Sequence, residues 1–110
     1  MKVLFAVENN AGLDSELDSR FGRAGYFLIY DTREEEILSI QENAFKNEAH
    51  GVGIKIAGFV VEQGCNAAVG AQPGPKAASV LEQARVKMIV QDKGTVKEAL
   101  EQYKKDLTVP

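Results

Sequence analysis

An unbroken apolar run, Val3-Leu4-Phe5-Ala6-Val7, stands near the start of the chain and constrains the fold more than any other feature. A strand with one face in water alternates apolar and polar side chains. A run with no polar member belongs to a strand covered on both faces. A fold built around it needs helices above and below a sheet, and the rest of the 110-residue chain supplies them. Tyr26–Asp31 reads as a second strand and Glu36–Asn43 alternates like a third, with a charged turn between them that predicts an antiparallel hairpin. From Gly51 to Gln63 the rhythm changes. Val52, Ile56, Phe59 and Val60 fall at i, i+4, i+7 and i+8, one face of a helix, with Gly64 as its stop. Asn66–Gly70 reads as a short strand, Gly74–Arg85 as a helix with Pro75 in its first turn, and Val86–Val90 as the last strand. Thr95 and Glu98 form a T-x-x-E capping box for a final helix bearing Val96, Ala99, Leu100, Tyr103 and Leu107. The order β-β-β-α-β-α-β-α predicts one α/β domain over residues 1–110, with a mixed five-stranded sheet and helices packed on it. Residues 106–110 read as a frayed tail.

Bulk properties narrow the function. No apolar run approaches the roughly 20 residues that span a bilayer, which points away from a membrane. The first residues read as a strand rather than a leader, because Glu8 interrupts them and no small-residue cleavage site follows. One cysteine excludes a disulfide framework and fits the reducing cytoplasm. A formal net charge of −3 gives no footprint for nucleic acid.

Residues 9–25 form a polar stretch rich in Asn, Asp, Ser and Gly, long for so small a domain, and read as a mobile loop. It ends in Arg20-Phe21-Gly22-Arg23, where two guanidiniums stand at the mouth of a strand. They could pair with Asp18 or Asp31 while Phe21 covers the core; alternatively they make a locally positive pocket in an acidic protein, suited to a bulky anion. Two further loops offer anion sites. Gly70-Ala71-Gln72-Pro73-Gly74-Pro75-Lys76 leads from a strand end into a helix start, where free N–H groups and the helix dipole favour negative charge. His50-Gly51-Val52-Gly53 repeats the feature with a metal-capable imidazole, and its glycines leave room for a bulky group. Against these stand blander readings: a tight turn, and a capping or surface histidine. Catalysis has weaker candidates. Glu8, Asp14, Asp18 and Asp31 could hold Mg²⁺ for a metal-dependent nuclease, and Cys65 with His50 is the one available thiol–imidazole pair. Cys65 sits at a helix-to-strand junction, where a buried thiol is the commoner outcome.

SRFGRAGYFLIYD, then HGVG, then GCNAAVGAQPGPKAASVLEQARVKMI, in that order and spacing, resemble the dinitrogenase iron–molybdenum cofactor biosynthesis family, which includes NifX-like proteins and the C-terminal part of NifB-like proteins. The likeness runs from Met1 to about Lys105. It implies a ribonuclease H-like α/β fold and a non-enzymatic, cytoplasmic role in binding or carrying an iron–sulfur or iron–molybdenum-type cluster. Cluster donor and acceptor proteins are then the implied partners, and the chain a monomer or weak homodimer. Such clusters are bulky, sulfide-rich and anionic. His50 becomes the leading metal ligand with Cys65 a second candidate, and Arg20, Phe21, Gly22, Arg23, Gly51, Gly53, Gly70 and Gly74 a cofactor-binding cradle. One Cys and one His cannot supply four thiolates, so binding would be transient, shared or mostly electrostatic. A regulatory module for a small anion or a protein partner, using the same loops without metal, is the alternative.

Overall fold

In the computed structural model, which describes residues 1–108, the run Val3–Val7 lies in strand β1 (Lys2–Val7), and all five side chains are fully buried. The burial has a plain cause. β1 is the central strand of five and carries a helical layer on each side. β2 (Tyr26–Asp31) pairs with it antiparallel and β3 (Glu36–Glu42) antiparallel with β2. On the other flank β4 (Ala67–Gly70) and β5 (Lys87–Val90) pair in parallel, giving the order β3-β2-β1-β4-β5.

Leu4 and Ala6 point into one layer, packed against Val52, Ile56 and Val60 of helix α1 (Val52–Glu62) and Ala77 and Leu81 of α2 (Pro75–Gln83). Val3, Phe5 and Val7 point into the other, with Val96 and Ala99 of α3 (Val96–Gln102) and Leu107 of α4 (Lys104–Thr108). Each large side chain so buried contributes about 1.5–3 kcal/mol, which is why two modest cores hold a chain this short.

The helix ends follow their sequence signals. Gly64 N–H donates to Val61 O at 3.0 Å and closes α1. The capping box forms as spaced: Glu98 N–H donates to Thr95 Oγ1 at 3.1 Å, and Thr95 N–H to Glu98 Oε1 at 2.9 Å. The final helix departs from expectation. It breaks at Tyr103 (φ −107°, ψ 25°), whose hydroxyl donates to Gln91 Oε1 at 3.0 Å. The break turns Leu107 into the core, fully buried, while Asp106 accepts from Lys87 Nζ at 3.0 Å. Of the residues read as a tail, 109 and 110 lie outside the described residues.

The segment read as a loop over 9–25 has internal order. A 3₁₀ turn spans Gly12–Asp14, and residues 15–18 run between β1 and the start of α3. Asp18 N–H donates to Ala6 O at 2.9 Å, Leu17 N–H to Gly94 O at 2.8 Å, and Val96 N–H to Ser15 O at 3.0 Å. Ser15, wholly buried, accepts from Ala11 N–H at 2.9 Å. Among the described residues no helix is long and apolar enough to cross a membrane.

Candidate functional site

Because β1, β4 and β5 run parallel, all three end on one side of the sheet, where β2 begins and β3 finishes. The connections carrying Arg20–Arg23, His50–Gly53 and Gly70–Gly74 therefore emerge together, at the edge where open α/β sheets receive ligands. Between the first turns of α1 and α2 lies an open groove of about 400 Å³, lined by Gly51, Val52, Gly53, Ile54, Gly74, Pro75, Lys76 and Ala77. Its walls are mostly aliphatic, and Ile54 is 42% exposed.

Both helix N-termini at the groove have glycine at the cap position, and neither receives a side-chain cap. First-turn N–H groups are left for a ligand or water to satisfy, and the two helix dipoles add to the local positive potential. Gly51 holds φ +71°, the left-handed region that glycine enters without penalty. That turn carries His50 directly before the groove, exposed and, among the described residues, without a hydrogen bond or ion pair.

The Arg20–Arg23 segment packs down onto this end. Phe21 is buried, and its ring comes within 3.4 Å of where a Cβ on Gly70 would stand. Gly22 lies against the start of α1, so closely that a Cβ there would meet Gly53 N at 3.1 Å and Val52 Cγ1 at 3.2 Å. The three loops singled out from the sequence thus touch through Phe21–Gly70 and Gly22–Gly53.

The arginines are less free than their sequence context suggests. Arg20 Nε donates to Asp18 Oδ1 at 3.2 Å, but its side chain is still 62% exposed. Arg23 instead donates from Nη1 to Lys46 O at 2.7 Å and from Nη2 to Glu48 O at 2.9 Å. Both of its hydrogen bonds go to main-chain carbonyls of the loop that leads to His50.

Cys65 does not join the groups above. It follows the C-terminus of α1, an 11-residue helix, so the helix length of about 16 Å separates it from the His50 end. It is 6% exposed, and burial pushes its thiol up to about 11, against the pull of the Lys2 ammonium. The carboxylates do not converge either. Asp18 is spent on the N–H groups of Arg20 (2.9 Å) and Gly25 (3.1 Å), and Asp31 accepts from Arg33 N–H at 2.9 Å inside the hairpin turn. Among the described residues no group of three or more His, Cys, Asp or Glu side chains is placed to hold a metal ion. A further groove of about 510 Å³ beside the outer edge of β5 takes Gln72 and Pro73 from the glycine-rich loop and otherwise residues from α2 through β5 that carry no metal-binding or catalytic candidate.

Sequence reasoning missed one organising residue, Asn43, and the burial of another, Asp18, which it names only as a partner for the arginines and a candidate metal ligand. Asn43, 4% exposed, donates from Nδ2 to Gly22 O at 2.8 Å and Ala24 O at 3.0 Å, and accepts from Phe45 N–H at 2.9 Å. Asp18, 2% exposed, gathers the turn from Arg20 to Gly25. The available signal was a polar residue placed immediately after an apolar strand or before a glycine turn, where side-chain-to-backbone bonds are common.

The chain as a whole is similar to several known proteins. The sequence profile of a family described as dinitrogenase iron–molybdenum cofactor matches residues 1–106. An uncharacterised protein of Methanocaldococcus jannaschii is 36% identical over 85 residues, covering 76% of this chain and 68% of that protein. Among solved structures, the apo form of the orange protein from Desulfovibrio gigas superposes with a TM-score of 0.85 at 31% identity, over 99% of this chain and 90% of the other. A Thermotoga protein provisionally described as NifB gives a TM-score of 0.78 at 32% identity, over 94% and 87%.

Proposed function

Since the chain belongs to the dinitrogenase iron–molybdenum cofactor family, we propose that it binds and carries an iron–sulfur or molybdenum-containing cluster, a nitrogenase-cofactor-type precursor or a related species. The cluster is cargo, received from one protein and passed to another, and the chain acts without catalysing a reaction. We also read the strand order 3-2-1-4-5, with β2 alone reversed, as the ribonuclease H-like arrangement.

The observation that carries this reading is the convergence of two uncapped helix N-termini on one groove, with the exposed His50 one residue before Gly51 of its lining. Each helix end favours an anion by about 0.3–1 kcal/mol when exposed and up to about 2 kcal/mol when partly buried. Aliphatic walls suit a large, weakly hydrated, sulfide-faced anion better than a small oxyanion, which would lose its hydration without full replacement. A single imidazole adds one directional bond. Such a site holds its cargo exchangeably, as a carrier must, where four thiolates would hold it as a resident group. Arg20, exposed beside the groove-forming loops, adds charge at the rim.

Anaerobic reconstitution with iron and sulfide, with and without molybdate, tests the reading by metal analysis and visible absorption. Stoichiometric uptake with a charge-transfer band, weakened in His50→Ala, is the expected result. A colourless, metal-free protein under every loading condition overturns it and leaves the fold serving a small anion or a protein partner at the same loops.

A further inference from the structure

Arg23 is the puzzle of this end of the molecule. A guanidinium near an anion groove is expected to be left free for the anion, yet this one, on an exposed residue, is committed to two neutral carbonyls, Lys46 O at 2.7 Å and Glu48 O at 2.9 Å. Those carbonyls belong to the 43–51 connection, which has three other anchors. Asn43 ties its start to the carbonyls of Gly22 and Ala24. Glu48 forms an ion pair with Lys55 of α1. The Lys55 ammonium also lies 5.6 Å from the Phe45 ring centroid. From Glu48 only Ala49, His50 and Gly51 remain before α1 begins. With each residue spanning at most about 3.3–3.6 Å, the His50 Cα cannot stand more than about 7 Å from that of Glu48. Whatever holds the backbone at 46–48 therefore limits, together with the start of α1 at Val52, the range through which the imidazole can swing.

We propose that Arg23 is a positioning residue for His50: its fork holds the Lys46 and Glu48 carbonyls and so restrains the segment that presents the imidazole beside the groove, and it makes no charge contact with the cargo. The inference rests on the cluster-carrier reading of that groove. It also gives a reason for arginine at this position. Two carbonyls two residues apart are matched by the parallel N–H groups of a planar guanidinium, whereas a lysine ammonium presents a point charge on a flexible stem.

Arg23→Lys is the decisive variant, because it keeps the charge and removes the fork, and Arg23→Ala accompanies it. In the apo protein, amide exchange over residues 44–51 should rise at least about tenfold in both variants, while β1 and β2 amides stay within about threefold of wild type. The imidazole signals of His50, the single histidine of the chain, should shift or broaden in both. Methylguanidinium added to Arg23→Ala should restore protection. Wild-type exchange and imidazole signals in Arg23→Lys, or loss of protection spread evenly over the sheet, overturn the proposal.

Cluster retention after anaerobic loading with iron, sulfide and molybdate gives a second arm. Arg23→Ala combined with His50→Ala should retain as much as His50→Ala alone, since one acts through the other. Additive losses overturn the proposal and assign Arg23 a direct contact. If wild type takes up no cluster, the carrier reading fails, and the exchange and imidazole measurements still decide whether Arg23 sets the His50 segment.

Discussion

Cys65 offers a sharp quantitative test, because its burial bears on both reactivity and stability. Its thiol stands at about 11 where an ordinary thiol has 9.0. At pH 7 the thiolate is then about one molecule in 10⁴ rather than one in 10², and the thiolate is the form that attacks alkylating agents and binds metals. Iodoacetamide should modify native Cys65 at least about 100-fold more slowly than an ordinary exposed thiol at pH 7, with a rate still climbing toward pH 11. The same displacement has a stability sign. A neutral thiol favoured by the fold contributes fully below pH 9, and the contribution is lost as pH rises through the folded value near 11. Two units correspond to on the order of 2–3 kcal/mol. Chemical denaturation of wild type and Cys65→Ala at pH 8, 9, 10 and 11 should therefore show the two stabilities converging above pH 9. Cluster retention should be equal in the two proteins, since Cys65 lies at the far end of α1. Rapid alkylation at pH 7, or parallel stability profiles between pH 9 and 11, would refute the reasoning.

Two further outcomes concern backbone fit. Gly25→Ala places a Cβ 2.9 Å from Glu8 O, a main-chain atom that cannot swing aside, so the variant should lose about 1–3 kcal/mol in urea unfolding; a change within about 0.5 kcal/mol would show that the β1 end yields. Arg85 closes α2 with φ +61°, where a side chain costs about 1–2 kcal/mol. Glycine there relieves the strain but adds unfolded-state entropy, so Arg85→Gly should gain about 0.5–1 kcal/mol and melt a few degrees higher. A lower melting temperature would show that the left-handed turn costs the arginine little.

The five strands and the helical faces could be read from the sequence because their signals are local: an unbroken apolar run for β1, a period of 3.6 for α1 and α2, a spaced Thr and Glu for α3. Features set by distant partners could not be read. Ser15 and Asp18 belong to a stretch whose composition reads as solvated loop. Their burial depends on Val96, which bonds the Ser15 carbonyl, on Ala11, which bonds its hydroxyl, and on Gly25, which bonds the Asp18 carboxylate, so that these polar groups can leave water. The break at Tyr103 follows from a bond to Gln91 and a core place for Leu107, neither visible in a helical period that runs smoothly through both. The site divides the same way. Glycines before helix starts marked the groove, because that signal is local. The direction in which Arg23 points was set by carbonyls 23 and 25 residues away, and a charge beside two glycines gave no hint of it.

The glycine at position 74 has backbone angles (φ −66°, ψ 165°) that serine or aspartate would adopt equally well as a helix cap. Anyone seeking a more heat-resistant version would consider it, since such a cap adds a few tenths of a kcal/mol over glycine. On the carrier reading, the gain would come from giving the helix an internal substitute for its cargo. The uncapped helix end then leaves stability to be gained on loading, because a cluster that binds only the folded chain raises its stability by an amount that grows with its affinity.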